Sequence, residues 1–286
     1  MAERALGVIE AETHGPLTFL RLARRVLGRP VYWTGAYFVE GVLVDCGPPA
    51  TARDLLAFLD GRAPRGLVIT HHHEDHSGGA ALLRKTLGVV ARAHPAALPL
   101  LAQGFVQEPY RRLAWGPPPR LAAEPIVVEE AFGPLRLRPV PTPGHSPDHL
   151  CFYEPEREWL FTGDLFLAER LRFLRSDEDL DLLVDSLDTV GRLPVREVFC
   201  AHRGPVRDGP AALRRKAEHL RALRGGIADL LRQGLPENEI ARRLVGREGF
   251  LTWLSLGRFS ARNFVRAVAR NLYALPTGSS PPSETT

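Results

Sequence analysis

Thr70-His71-His72-His73-Glu74-Asp75-His76 places four histidines and two carboxylates within seven residues. Side chains that bind metal ions are rarely packed so densely for any other purpose, and His71, His73, Asp75 and His76 are the ligand candidates. The apolar run Gly66-Leu67-Val68-Ile69 precedes the cluster and Ser77-Gly78-Gly79 follows it. That context predicts a buried strand whose exit loop carries the cluster into a helix. A strand end followed by a glycine-bearing turn aims several side chains at one point beyond the sheet edge. His72, between two ligand candidates on extended chain, is expected to point away from them.

The rest of the chain has the composition of a globular protein. Its 286 residues are 44% hydrophobic and 24% charged, enough for a substantial core. No apolar run reaches the 18 residues that would suggest a membrane span, and Met1 to Gly7 lacks the layout of a secretory signal. Cys46, Cys151 and Cys200 are few and far apart, which points to buried thiols in a reducing cytoplasm. Residues 208–275 hold 13 Lys/Arg against 6 Asp/Glu, a surplus of +7 on a chain of net charge +4. The first 207 residues are therefore slightly acidic. The expected division is 1–207 as the main domain, 208–275 as a helical C-terminal region and 276–286 as a disordered Ser/Pro/Thr-rich tail.

Strand and helix signals interleave over the first two hundred residues. A hairpin turning at Glu40-Gly41 is expected, then a helix over 51–59, a helix over 80–87 and a strand over 89–93. Further strands are expected at 126–129, 135–139, 151–153, 159–162 and 197–200. Three more ligand candidates sit at ends of the later strands: His145 in Pro143-Gly144-His145-Ser146, Asp164 in Thr162-Gly163-Asp164, and His202 in Ala201-His202-Arg203. Taken singly, Asp164 could cap a helix and His202 could be a core imidazole. Their common position at strand ends favours a shared site.

The order His71-x-His73-x-Asp75-His76, then His145, Asp164 and His202, resembles the ligand set of the metallo-β-lactamase superfamily over roughly residues 35–205. The resemblance implies an α+β fold, a four-layer αββα sandwich with a C-terminal helical appendage. It implies two divalent cations, zinc first, with manganese or iron also suited to the donors. His71, His73 and His145 would hold one; Asp75, His76 and His202 would hold the second, with Asp164 bridging. The implied activity is hydrolysis by a hydroxide shared between the cations, with Asp75 and Asp164 as catalytic carboxylates. Asp45, in Asp45-Cys46-Gly47, resembles the family's Asp-x-Gly beneath the metals; the alternative is a turn aspartate. His149 is a supporting donor, a general acid or a structural histidine at a strand start. Arg203 faces either an anionic substrate or solvent.

Asp164 argues against the true β-lactamases, and His73 against the flavodiiron oxidoreductases. The pattern is closer to glyoxalase II, lactonases and endoribonuclease-type members. A small ester, thioester or lactone is the expected substrate. Alternatives are an RNA or phosphodiester nuclease of the same fold and a mononuclear iron persulfide dioxygenase. The row Arg262, Arg266 and Arg270 could track phosphates, but an amphipathic cap with an arginine-rich solvent face is favoured over nucleic-acid binding.

Overall fold

Alternation along the strands sets the layers in the computed structural model, which describes residues 7–273. The chain forms β1 (Gly7–His14), β2 (Leu17–Val26), β3 (Arg29–Val39), β4 (Val42–Val44), β5 (Gly66–Val68), β6 (Ala91–Ala93) and β7 (Glu124–Pro125), which pair in that order as one seven-stranded sheet. The second sheet is built from β8 (Glu130–Phe132), β9 (Leu135–Pro141), β10 (Leu150–Glu154) and β11 (Trp159–Phe161). After β12 (Leu174–Arg175), which lies outside both sheets, it is completed by β13 (Glu197–Cys200) and β14 (Gly204–Val206).

Tyr37, Val39, Val42, Val44 and Val68 on one sheet pack against Leu135, Leu137, Leu150, Phe152, Phe161 and Phe199 on the other. The intervening residues of the first sheet, Ala36, Leu43 and Leu67, point the opposite way. They bury against α1 (Ala52–Leu59) through Leu55 and Leu59, and against the helix that follows the histidine cluster. Two faces of opposite assignment, each apolar, are what a sheet covered on both sides requires. The cluster itself opens α2 (Glu74–Ser77), followed by α3 (Ala80–Leu87), α4 (Ala97–Gln103) and α5 (Pro109–Trp115). Beyond β12 comes α6 (Leu180–Gly191), which buries Leu183, Leu187 and Val190, and the layers run helix, sheet, sheet, helix.

The hairpin at Glu40-Gly41 and the helices over 52–59 and 80–87 form where the sequence places them. The strand expected at 126–129 does not. Ile126 is buried and its N–H donates to the Ala93 carbonyl, but Val127 and Val128 stand in solvent. The pairing falls instead on the flanking two- and three-residue strands β7 and β8.

The chain divides into two compact units, 7–171 with 177–221, and 172–176 with 222–273 among the described residues. The boundary expected near 207 falls just ahead of α7 (Gly209–Arg232), whereas the compact units divide within this helix, between 221 and 222. Its first turns bury Leu213, Lys216 and Leu220, and Gly209 lies against Val198 of β13. The smaller unit holds α8 (Glu237–Leu244), α9 (Phe250–Leu254), β15 (Phe259–Ser260) and α10 (Arg262–Tyr273), with β15 pairing antiparallel to β12. The tail expected to be disordered, 276–286, lies outside the described residues.

Candidate metal centre

Every sequence-derived ligand comes from a loop at the end of a strand. His71, His73, Asp75 and His76 follow β5, His145 follows β9, Asp164 follows β11 and His202 follows β13. All are buried or nearly so. Donor atoms converge in three overlapping trios: His71, His73 and His145; His71, His76 and Asp164; Asp75, His76 and His202. Asp164 lies between the outer two. Its Oδ1 is 3.3 Å from His76 Nε2 and 3.2 Å from His202 Nε2, and its Oδ2 is 3.3 Å from His145 Nε2.

Three of the imidazoles have their orientation fixed from behind. His76 Nδ1–H donates to Asp45 Oδ2 at 2.8 Å, His145 Nδ1–H to Glu178 Oε1 at 2.6 Å, and His202 Nδ1–H to the Trp33 carbonyl at 3.1 Å. Each is thereby left with an Nε2 lone pair facing the cluster. Asp45 also receives the Thr70 N–H at 2.8 Å and the Thr70 hydroxyl at 2.9 Å, which fixes the carboxylate at the head of the histidine loop. Asp45 thus joins the start of the histidine loop to the back of His76.

The donor set fits a pair of cations. His76 Nε2 and Asp164 Oδ1 are buried without a hydrogen-bond partner, and lone pairs of imidazole and carboxylate face each other at short range. Only positive charge between them relieves that arrangement. The electrostatics agree in direction. Although burial disfavours charge on His76, the carboxylates of Asp164, Asp75 and Asp45 raise its imidazole well above the ordinary histidine range, an attraction for positive charge that a cation at Nε2 would share with a proton. Burial with the neighbouring His76 and His145 drives His71 well below it. Asp164 stays ionised despite its burial because His202, His76 and His145 surround it.

His149, just before β10, is held neutral, pulled down to about 3 by burial and by His145. Its Nε2 accepts the Asp164 N–H at 3.1 Å, so its Nδ1–H is directed to the Thr142 hydroxyl at 2.8 Å. It supports the backbone of Asp164. Gly163, beside it, has φ +48°, and a Cβ there would lie 2.7 Å from His149 Nε2. His72 points away from the cluster, as expected, and its Nδ1–H donates to Asp148 at 2.8 Å. Arg203 is exposed, and its Nε donates to the Leu167 carbonyl at 3.1 Å.

Sequence reasoning did not assign Glu178, Glu74 or Arg111. Glu178 precedes Asp179, which caps α6 by accepting the N–H groups of Asp181 and Leu182, and the cap sets the carboxylate behind His145. Glu74, inside the histidine cluster, is fully buried and grips Arg111 through Nε at 2.7 Å and Nη2 at 3.0 Å. Arg111 Nη2 also reaches Asp75 Oδ1 at 3.4 Å. Only the alternation of charge with ligands in His73-Glu74-Asp75 hinted at such a pair.

Known proteins resemble this chain in sequence and in fold. The "Hydroxyacylglutathione hydrolase" of Legionella pneumophila (strain Paris) is 32% identical over 174 residues, 59% of this chain and 61% of that protein. The "Lactamase-like protein nscB" of Aspergillus fumigatus is 29% identical over 183 residues, 64% of this chain and 48% of that one. The alignment thus spans about three fifths or less of these relatives' lengths. Among solved structures, a metallo-beta-lactamase from Pontibacter korlensis superposes with a TM-score of 0.59 at 20% identity, over 75% of this chain and 99% of that one. A metallo-beta-lactamase family protein from Thermus thermophilus does so at 0.59 and 22% identity, over 89% and 92%. These two share the fold. The family profile matches residues 36–202, from β3 through the last histidine of the cluster, and the chain belongs to the metallo-beta-lactamase superfamily.

Proposed function

We propose that this protein is a dinuclear metal-dependent hydrolase of a small ester, thioester or lactone. The observation that carries the reading is Asp164, whose two carboxylate oxygens face different histidine groups at 3.2–3.3 Å. His71, His73 and His145 would hold one cation, and Asp75, His76 and His202 the other, with Asp164 shared. Two divalent cations, zinc first with manganese or iron also suited, would supply a water activated near neutral pH and polarise the bond under attack.

The chain's own groups do the rest. Asp45, Glu178 and the Trp33 carbonyl hold three imidazoles in one tautomer, so that no ligand reorganises during turnover. His149 fixes the backbone of Asp164 through its N–H. Asp75 takes the proton that the attacking water releases, at a carboxylate steadied by Arg111. Similarity to a hydroxyacylglutathione hydrolase supports a thioester or ester over a phosphodiester.

Protein stripped of metal and reloaded separately with zinc, manganese and iron should bind about two ions per chain. Assayed against chromogenic esters, lactones, thioesters and phosphodiesters, it should cleave an acyl substrate best. Well under one ion per chain after reconstitution, by elemental analysis, overturns the proposal.

A further inference from the structure

An aromatic wall stands beside the metal centre, assembled from two segments far apart in sequence. Tyr32, on β3, sets its ring edge-on to His202 with 5.6 Å between centroids, and remains half exposed. Trp115, the last residue of α5, meets Tyr32 edge-on, also at 5.6 Å. The Arg111 guanidinium lies over the Trp115 ring at 4.9 Å while it is committed to Glu74 and Asp75. The wall thus runs unbroken from His202 to Asp75, two members of one donor trio. A third ring, Phe105, sits edge-on to His72 at 4.9 Å. Val31, Val106 and Leu113, neighbours of these rings in sequence, are exposed.

None of these rings is needed to hold a ligand imidazole, since His202 is already oriented by the Trp33 carbonyl. A half-exposed tyrosine edge-on to a ligand histidine gains free energy only when something apolar covers it. The Arg111 cation behind Trp115 is buried and paired with two carboxylates, so the groups of the wall left open to solvent are the rings. We propose that Tyr32 and Trp115 receive the apolar part of the substrate, selecting esters or thioesters of aromatic or medium-chain acyl groups over acetyl and over phosphodiesters. This specificity rests on the hydrolase reading above.

The test uses metal-loaded protein and p-nitrophenyl acetate, butyrate, octanoate and phenylacetate. Wild type should prefer octanoate or phenylacetate to acetate in kcat/KM by roughly tenfold or more, at about 0.8 kcal/mol per buried methylene. Tyr32→Ala and Trp115→Ala should each reduce that ratio by roughly tenfold, mainly through KM, and Tyr32→Phe should preserve it. Metal content should be unchanged in all three variants.

A ratio that is unaltered in both alanine variants overturns the proposal. So does a loss that is equal across all acyl groups, which is what a purely structural role would produce. If wild type cleaves no ester, thioester or lactone, the hydrolase reading fails by itself. The wall is then judged by quenching of tryptophan emission on titration with octanoate and phenylacetate. Quenching in wild type that is lost in Tyr32→Ala upholds it, and no quenching in wild type rejects it.

Discussion

Asp164 is central because each of its oxygens is committed in a different direction. If Asp164 bridges two ions, Asp164→Ala should lose one of them and lower hydrolysis by roughly a thousandfold or more, consistent with removal of a bridging catalytic group. Wild-type turnover in that variant would refute the bridging role. Glu178→Gln keeps the shape but weakens the acceptor behind His145, and metal affinity should fall about 10–100-fold in a competition titration. Unchanged affinity would show that the 2.6 Å contact is incidental. The three thiols are free and buried, and burial pushes Cys151 up to about 12 and Cys200 up to about 11. Raised values leave very little thiolate at pH 8, so iodoacetamide should label none of them in native protein and all three after denaturation. The seven converging side chains were legible as candidates because histidines and aspartates in one short segment, and again at strand ends, have few structural uses. Glu178 and Lys216 were not. Glu178 lies in a segment with no periodic or motif signal, and Lys216 stands on a helix whose pattern gives no reason to bury a cation; the role of each comes from a contact across the fold, as where Lys216 Nζ, buried, donates to the Leu165 carbonyl at 2.6 Å.

At the scale of elements, the centre depends on loops that approach one another closely. Gly163 has a left-handed backbone, and its missing side chain leaves room for His149 and Thr70; a Cβ would come within 2.9 Å of Thr70 Cβ. Gly163→Ala should cost about 1–3 kcal/mol of stability and displace Asp164, lowering both Tm and metal occupancy. A variant with wild-type Tm and full occupancy would contradict that packing argument. Strands with simple burial patterns were readable from sequence, as with β10 and β13. The β1–β2 hairpin was not, because β1 is mostly exposed and β2 buries residues on both faces. The Ile126 region misled for the opposite reason: its β-branched run is apolar, yet two of its valines lie in solvent.

At the scale of the molecule, the charge surplus set the expected division near 207, but charge carries no information about where a helix stops. The compact units divide at 221–222, inside α7. Within the smaller unit, Arg262 Nη1 donates to Asn238 at 3.3 Å, Arg266 Nε to Glu237 at 3.2 Å and Arg270 Nη1 to the Ser176 carbonyl at 3.3 Å. These contacts favour a structural row over a phosphate track. Replacing all three by alanine should lower Tm by a few degrees, since exposed pairs contribute about 0–1 kcal/mol each. It should leave the salt dependence of any RNA binding unchanged. A log–log slope near roughly −2 in wild type that vanishes in the triple variant would instead assign the row to nucleic acid.

The central claim is that two cations share Asp164. Anomalous diffraction from crystals of zinc-loaded protein, collected on both sides of the absorption edge, addresses it most directly. Two peaks are predicted, one beside His71, His73 and His145 and one beside Asp75, His76 and His202, with the Asp164 carboxylate touching both. A single peak, or two with Asp164 turned away, would contradict it.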